Sequence, residues 1–289
     1  MDQSRRDFLK VASLVLGGLA LWGCRRDKNF SPAPKASSDI SLWKFEIKQA
    51  MRRNIPLGDL VPIKIPGPLP KFPKEINRFG MAIDLDICNG CGECILACVL
   101  ENNISRVNDR EAQKGRFMHW IEMREGVPVM CSHCGDAPCE KVCPTGAAVA
   151  SPDGMSAMIY PRCIGSRYCG ANCPSKTRKF NYTDTRAEGL STKFNPEVPL
   201  RNRGVMEKCS LCVQRLQNDR LLAKTLGKEW RGMGVQSACA MACPKKAIVF
   251  GNWLDSESPL SQAVRGRGIY TLKSIQGLDP SVVYLVGRA

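Results

Sequence analysis

The chain has 289 residues, of which 16 are cysteine, and a formal net charge of +15 at pH 7. This length allows one large domain or two small ones, and the crowding of the cysteines at spacings of two to four residues argues against a disulfide framework or isolated zinc pairs. Crowded cysteines are typical of iron–sulfur proteins. Because such clusters are anionic, basic runs such as Lys176–Lys179 beside the cysteine motifs are interpreted as compensating charge. A basic zinc protein that binds nucleic acid is an alternative that no other feature supports, so no nucleic-acid partner is expected.

Residues 1–23 are predicted to be a targeting signal. Ser4–Lys10 matches the twin-arginine export pattern, and a run of twelve apolar residues follows from Val11 to Trp22. Twelve residues are too few to cross a bilayer, for which a helix needs about 20; a buried helix with a chance arginine pair is the alternative. Leu21–Cys24 resembles a lipoprotein cleavage site, in which an acylated Cys24 would tether the protein to the membrane surface. The signal predicts a periplasmic location, on the outer face of the cytoplasmic membrane.

Residues 24–78 are predicted to be a proline-rich extended arm. Eight of the 19 prolines lie here, which argues against a long helix or a central strand. Within the arm, Ser41–Arg53 is expected to form a short amphipathic turn with Trp43, Ile47 and Met51 on one face. That face either packs on the protein's own core or belongs to a strap that wraps a neighbouring subunit.

The first cysteine motif has the spacing C-x2-C-x2-C-x3-C and contains Cys88, Cys91, Cys94 and Cys98. The side chains of Phe79–Asp86 alternate in the way that is typical of a short strand, and this strand leads into the motif. We expect the first three thiols on a tight loop and the fourth in the helix that starts there. In the bacterial ferredoxin pattern, the first three thiols bind one [4Fe–4S] cluster and the fourth serves a different cluster.

The second motif has the spacing C-x2-C-x4-C-x3-C and is followed by Pro144, which ends the ligand helix. Its thiols are Cys131, Cys134, Cys139 and Cys143. Residues 147–150 and 155–160 flank the turn Ser151–Gly154 and are predicted to form a hairpin. A hairpin, a cysteine loop and a short helix together are typical of a ferredoxin unit.

The third motif lacks one ligand. It contains Cys163, Cys169 and Cys173, with Ser166 where a cysteine would be expected. Three thiols favour a [3Fe–4S] cluster. The alternative is that the Ser166 oxygen or a water molecule binds a fourth iron, although oxygen is a harder ligand than such clusters prefer.

The fourth motif contains a long insertion. Its thiols are Cys209, Cys212, Cys239 and Cys243, with 26 residues between the second and the third. The insertion predicts a helix from Gln214 to Leu226 that ends at Gly227, and Lys245–Phe250 predicts a closing strand. The four motifs account for every cysteine except Cys24, so none remains for a disulfide or a catalytic nucleophile.

The repeated motifs predict an α+β fold made of duplicated bacterial-ferredoxin-like units with pseudo-twofold symmetry. These units would occupy residues 79–250, between the extended N-terminal arm and a C-terminal tail at 251–289. The core resembles the four-cluster iron–sulfur subunits of molybdopterin-type respiratory complexes, such as polysulfide and dimethyl-sulfoxide reductases. The resemblance is carried by four phrases, Gly80–Cys88, Cys131–Cys134, Val142–Gly146 and Arg162–Gly165. Ser166, the stretches Asn172–Pro174 and Arg178–Asn181, and the insert before Cys239 are most similar to the iron–sulfur part of alternative complex III and of the quinone reductase complex.

The resemblance implies three [4Fe–4S] clusters and one [3Fe–4S] cluster, with motif one paired with motif four and motif two with motif three. The implied [4Fe–4S] ligands are Cys88, Cys91 and Cys94 with Cys243; Cys209, Cys212 and Cys239 with Cys98; and Cys131, Cys134 and Cys139 with Cys173. The implied [3Fe–4S] ligands are Cys163, Cys169 and Cys143.

The same resemblance implies a non-catalytic electron-transfer subunit of a quinol or quinone oxidoreductase complex. Its partners would be a polysulfide-reductase-type integral membrane subunit and a multihaem cytochrome c or a molybdopterin-type subunit. His119 and His133 are the only histidines and are expected to be structural. A free-standing periplasmic polyferredoxin is the alternative.

Overall fold

A computed structural model describes residues 36–71 and 77–287. The predicted signal, Cys24 and the first part of the arm lie outside these residues. The chain divides into two compact units, residues 1–41 and 42–289. Of the first unit, only the beginning of one helix is described. Within the described ranges, no helix combines the length and the apolar character needed to cross a membrane.

The chain forms short helices and strands in alternation. The helices are α1 (Ala36–Met51), α2 (Glu93–Asn102), α3 (Asp109–Gln113), α4 (Pro138–Lys141), α5 (Tyr168–Ala171), α6 (Val213–Thr225), α7 (Ala238–Ala242) and α8 (Pro259–Ala263). The strands are β1 (Leu60–Pro62), β2 (Phe79–Asp84), β3 (Glu122–Arg124), β4 (Val127–Val129), β5 (Ala148–Ala150), β6 (Ser156–Met158), β7 (Lys179–Phe180), β8 (Met206–Glu207), β9 (Ile248–Asn252), β10 (Gly268–Leu272) and β11 (Val282–Val286). This content agrees with the predicted α+β class.

The main sheet has five strands in the order β1-β10-β11-β2-β9. Strand β2 runs parallel to β11 and antiparallel to β9, and all six of its residues are buried. The predicted alternation of buried and exposed residues is therefore wrong, because both faces of this strand are covered. A Cβ at Gly80 would lie 2.1 Å from the carbonyl oxygen of Ser281, so this close approach of neighbouring strands requires glycine.

The described part of the arm from residue 42 onward packs on the core instead of extending from it. Helix α1 is longer than the predicted turn because no proline interrupts residues 35–55. Trp43 and Ile47 belong to the main hydrophobic cluster, so the structure favours the first of the two alternatives for this segment. Strand β1 pairs with β10 at the edge of the sheet, which is a position that tolerates Pro62.

The predicted C-terminal tail is part of the main sheet. A boundary at residue 250 falls inside β9, and both later strands, β10 and β11, pair within the sheet. Four of the five residues of β11 are buried. The apolar run Val282–Val286, preceded by Pro280, is the sequence signal that identifies this strand.

The other predicted elements are present with small shifts in their bounds. The hairpin is formed by β5 and β6, the insertion helix is α6, and the closing strand is β9. Two further strand pairs, β3–β4 and β7–β8, lie outside the main sheet. The five-stranded sheet adjoins motifs one and four, whereas the β5–β6 hairpin adjoins motif two. The pseudo-twofold relation between complete units stays a prediction.

Candidate cluster-binding sites

The fifteen described cysteines are free thiols that gather into four groups. Within each group, a negative charge on one thiol raises the pKa of another, which shows that they are close neighbours. Site A contains Cys88, Cys91, Cys94 and Cys243. Site B contains Cys98, Cys209, Cys212 and Cys239. Site C contains Cys131, Cys134, Cys139 and Cys173. Site D contains Cys143, Cys163 and Cys169.

Three thiols of site A lie between the end of β2 and the first turn of α2, and the fourth, Cys243, directly follows α7. Cys91 is exposed, while burial, together with the charges of neighbouring thiols, raises the pKa of Cys94 to about 12. The sequence predicted that Cys94 lies in the loop before the helix. Helix α2 begins at Glu93, so Cys94 lies instead in the first turn of the helix. Gly92 precedes the helix with φ of 82°, and a Cβ there would lie 2.7 Å from the sulfur of Met51. The positive φ explains why glycine is favoured at this position.

Site B receives a thiol from the same helix. Cys94 and Cys98 are four residues apart on α2 and therefore share a face, although they belong to different sites. All four site B thiols are buried. Burial is the main cause that raises the pKa of Cys98 well above its ordinary value, and the site B thiols add to it. Hydrogen bonds reach these sulfurs from Asn102 Nδ2 to Cys98 at 3.5 Å and from the Ala238 N–H to the fourth-motif thiol Cys212 at 3.4 Å.

Site C combines burial with many hydrogen-bond donors. Nη2 of Arg178 donates to Sγ of Cys139 at 3.0 Å. Burial raises the pKa of Cys173, but hydrogen bonds with Ser175 and Thr177 outweigh it, and the pKa of Cys173 is lowered overall. Donors of this kind stabilise the thiolate, which is the form that binds iron.

Site D contains three thiols, and the loop that carries Ser166 is exposed. The Ala147 N–H donates to Sγ of Cys143 at 3.2 Å. Burial raises the pKa of Cys143, but hydrogen bonds from the backbone around it lower this pKa below its ordinary value. Gly165 has φ of 74°, and a Cβ there would lie 2.2 Å from the carbonyl oxygen of Gly204. The loop is thus held by a contact that only glycine allows.

The four sites follow one another in the order A, B, C, D. Cys94 of site A raises the pKa of Cys239 in site B. Cys131 of site C raises the pKa of Cys209 in site B. The Arg178 cation is a neighbour of thiols in both site C and site D. Each site therefore adjoins the next along this order.

The chemistry of these sites fits iron–sulfur clusters. Buried thiolates repel one another and lose hydration, so gathering three or four of them is unfavourable until a cationic iron core binds. Among the residues that the structure describes, no three His, Cys, Asp or Glu side chains converge as tightly as a single metal ion requires. When bound, the clusters would supply one-electron transfer.

Comparison with known proteins agrees with this geometry. The family model of the 4Fe-4S dicluster domain matches residues 74–147. The chain is 36% identical over 229 residues to the iron-sulfur cluster-binding subunit of menaquinone reductase from Nitratidesulfovibrio vulgaris, covering 73% of this chain and 89% of that protein. The chain belongs to this family of iron–sulfur subunits.

The chain is also similar to iron–sulfur subunits that are named for other enzymes. It is 34% identical over 246 residues to the Hdr-like menaquinol oxidoreductase iron-sulfur subunit 1 of Archaeoglobus fulgidus, covering 74% of this chain and 86% of that protein. It is 32% identical over 246 residues to the arsenate respiratory reductase iron-sulfur subunit ArrB of Shewanella sp. strain ANA-3, covering 72% and 96%. Relatives in this family are thus named for different reductases and oxidoreductases.

The two histidines of the iron–sulfur subunit are buried. Nδ1 of His133 accepts a hydrogen bond from the Ser156 N–H at 3.1 Å, and burial, with the charges of Lys208 and Arg178, lowers its pKa well below the ordinary value. Nε2 of His119 lies 3.1 Å from Oε1 of Glu46. The hydrogen bond of His133 therefore joins two neighbouring segments, and the ring of His119 lies beside a carboxylate of α1.

Sequence reasoning did not single out Arg178 and Lys208 as individual residues of the cluster-binding region. The run Lys176–Lys179 was interpreted as general compensating charge, and Arg178–Asn181 as part of the family resemblance. In the structure, Arg178 and Lys208 are buried against thiols of sites B, C and D. Their positions in the sequence could have identified them, because Lys208 directly precedes Cys209 and Arg178 closely follows Cys173.

Proposed function

We propose that the chain relays electrons through three [4Fe–4S] clusters at sites A, B and C and one [3Fe–4S] cluster at site D. The observation that carries this proposal is the continuous row of sites whose ends reach the surface. Cys91 of site A is exposed, and Ile164 and Tyr168 beside site D are 71% and 60% exposed. Site B, in the middle, is fully buried. Electrons would enter at one end of the row and leave at the other.

The proposed composition at site D is tested by Ser166→Cys and Ser166→Ala. We expect Ser166→Cys to add iron and to remove the EPR signal of an oxidised [3Fe–4S] cluster. Ser166→Ala is the matched control, because it removes the hydroxyl without supplying a thiol and should leave the signal unchanged. An unchanged spectrum in the cysteine variant would contradict the [3Fe–4S] assignment, and a changed spectrum in the alanine variant would favour a Ser166 oxygen ligand.

The proposed complex is a membrane-associated quinol or quinone oxidoreductase. Two of the relatives described above are named for menaquinone and menaquinol, which supports a quinone-handling partner. We propose that this partner is a polysulfide-reductase-type integral membrane subunit, and that a multihaem cytochrome c or a molybdopterin-type subunit exchanges electrons at the other end. Purification from detergent extract should recover these partners together. A chain that washes off membranes and runs alone would instead be a free-standing carrier.

The proposed location is the outer face of the cytoplasmic membrane, reached by twin-arginine export and held by a lipid on Cys24. The basis is the sequence of residues 1–24. We expect Arg5→Lys with Arg6→Lys to leave the protein in the cytoplasm, and Cys24→Ser to be exported without a lipid. Cell fractionation and mass spectrometry of the mature N-terminus measure both outcomes. Export of the double lysine variant, or an unmodified residue 24 in the wild type, would contradict the respective step.

A further inference from the structure

Two buried cations lie where neighbouring sites meet. The exposed fraction is 6% for Arg178 and 1% for Lys208. Among the contacts described for residues 36–71 and 77–287, neither forms an ion pair with a carboxylate. Nη1 of Arg178 lies 3.0 Å from the sulfur of Met158, and Nζ of Lys208 donates to the carbonyl oxygen of Cys209 at 2.9 Å. A buried cation without a carboxylate partner is unfavourable unless another anion lies close to it.

The cysteine sulfurs of the cluster-binding sites become those anions when they bind a cluster as thiolates. Arg178 neighbours Cys139 of site C and Cys169 of site D. Lys208 neighbours Cys209 of site B and the same Cys139 of site C. Site C is therefore the site that neighbours both buried cations.

One residue contacts both cations. The backbone oxygen of Ser156, in β6, accepts a hydrogen bond from Nζ of Lys208, and its hydroxyl lies 3.5 Å from Nη2 of Arg178. The Ser156 N–H donates to His133. Ser156 therefore links Lys208, Arg178 and the ring of His133 beside site C.

Site A has a different electrostatic environment. The carboxylate of Asp84 neighbours Cys88, and its charge contributes to raising the pKa of that thiol. Asp84 also pairs with Arg267 at 2.6 Å, so its charge is largely balanced. Site A therefore lies beside a balanced ion pair, whereas site C lies beside two buried cations.

We propose that Arg178 and Lys208 are the counter-ions of site C and hold the reduction potential of its cluster above that of site A. Reduction adds one electron to the cluster, and the charges of both side chains stay unchanged. A positive charge in a region of low dielectric constant stabilises the reduced, more negative form. This inference rests on the cluster assignment under Proposed function.

Potentiometric titrations followed by EPR, on the anaerobically purified full chain, test the inference. Arg178→Gln and Lys208→Met each remove one charge, and Cys134→Ser and Cys91→Ser assign the signals of sites C and A. At a fixed solution potential, we expect the reduced-to-oxidised ratio of site C to fall at least tenfold in each neutral variant. For a one-electron couple, that is about 59 mV.

Two kinds of control accompany these variants. Arg178→Lys and Lys208→Arg keep the charge and should preserve most of the potential. Lys179→Met is the matched control for position, because the Lys179 ammonium pairs with Glu122 and not with a thiol. It should leave the potential of site C close to that of the wild type. The potential of site A should stay unchanged in all of these variants.

The inference is overturned if site C keeps its potential in both neutral variants with full iron and sulfide content, or if site A shifts equally. If a neutral variant loses the site C cluster, the variant that keeps the charge at that position decides whether the counter-ion role holds. Retention of the cluster supports the counter-ion role, and its loss overturns that role. If the wild type holds no cluster at site C, the cluster assignment fails instead, so the two failures are distinguishable.

Discussion

The two halves of this iron–sulfur subunit stabilise their crowded thiolates by different physical means. We call the part that carries sites A and B the sheet half and the part that carries sites C and D the hairpin half. Thiols of the sheet half, such as Cys94 and Cys239, belong to the large hydrophobic cluster beneath the five-stranded sheet. In the hairpin half, Cys131 also reaches the large cluster, but Cys139 and Cys169 belong to a separate cluster of only four buried residues.

This difference shows two ways to stabilise crowded thiolates. The sheet half surrounds them with apolar side chains, which stabilise the fold even without a cofactor. The hairpin half has short strands and a small core, and it brings buried cations such as Arg178 against its sulfurs. We therefore expect the sheet half to depend mainly on packing and the hairpin half mainly on its bound clusters and charges.

Removal of the clusters should separate the two halves most strongly. After anaerobic chelation of iron, we expect the backbone amides of β5 and β6 to lose nearly all protection from hydrogen exchange, while those of β2 and β9 keep most of theirs. The reason is that metal binding is coupled to folding where the apolar core is small. Hydrogen exchange with mass spectrometry measures both. Equal loss of protection in the two halves would remove the distinction.

Single ligand substitutions should test whether helix α2 supplies one thiol to site A and another to site B. We expect Cys94→Ser to remove the cluster of site A and Cys98→Ser to remove the cluster of site B, although both residues lie on α2. Sites C and D should stay occupied in both variants. Iron analysis and EPR of each cluster measure the result. Loss of the same cluster in both variants would show that the two thiols serve one site.

Substitution of Trp43 should show how far the sheet half depends on packing. The Trp43 side chain is only 1% exposed, and Trp43→Ala should lower the free energy of unfolding by about 3–5 kcal/mol because it leaves a cavity. Phe45→Ala on the same helix is the matched control. Phe45 is 68% exposed, so its removal should change stability by about 0.5 kcal/mol or less. Anaerobic denaturant unfolding measures both; similar values for the two variants would argue against packing of α1 on the core.

The smallest expected effect concerns an ion pair between two helices of the sheet half. Oε2 of Glu101 lies 2.7 Å from Nη2 of Arg215, and this hydrogen bond is the main cause that lowers the pKa of Glu101 below its ordinary 4.5. A lowered folded-state pKa stabilises the protein above pH 4.5, and this stabilisation is lost as the pH falls through the folded-state value. Because the pair is partly exposed, we expect Glu101→Gln to cost about 0.5–1 kcal/mol at neutral pH.

The control for this pair is the pH dependence itself. In Glu101→Gln, the loss of stability on acidification below pH 4.5 should become smaller, whereas the wild type should show it in full. Unfolding curves between pH 3 and pH 7 would be compared for the two proteins. Identical acid sensitivity would mean that Glu101 contributes no linked stability.

Local sequence patterns determined the cluster chemistry and several elements of this protein. Cysteine spacing predicted the iron–sulfur class, and the turn at Ser151–Gly154 predicted the β5–β6 hairpin. Helix α6 was predicted from its flanking signals, including Gly227. These features depend on residues that are close in the chain, so the physical cause is visible in the sequence itself.

Only the tertiary structure decided how distant segments meet. The sequence did not show that residues after 250 complete the main sheet, because strand pairing depends on long-range contacts that no local pattern specifies. It also did not show that Arg178 and Lys208 are buried against sulfur, since a basic residue beside a motif is equally compatible with solvent. Whether a charge is solvated or buried depends on the segments that cover it, and those segments lie elsewhere in the chain.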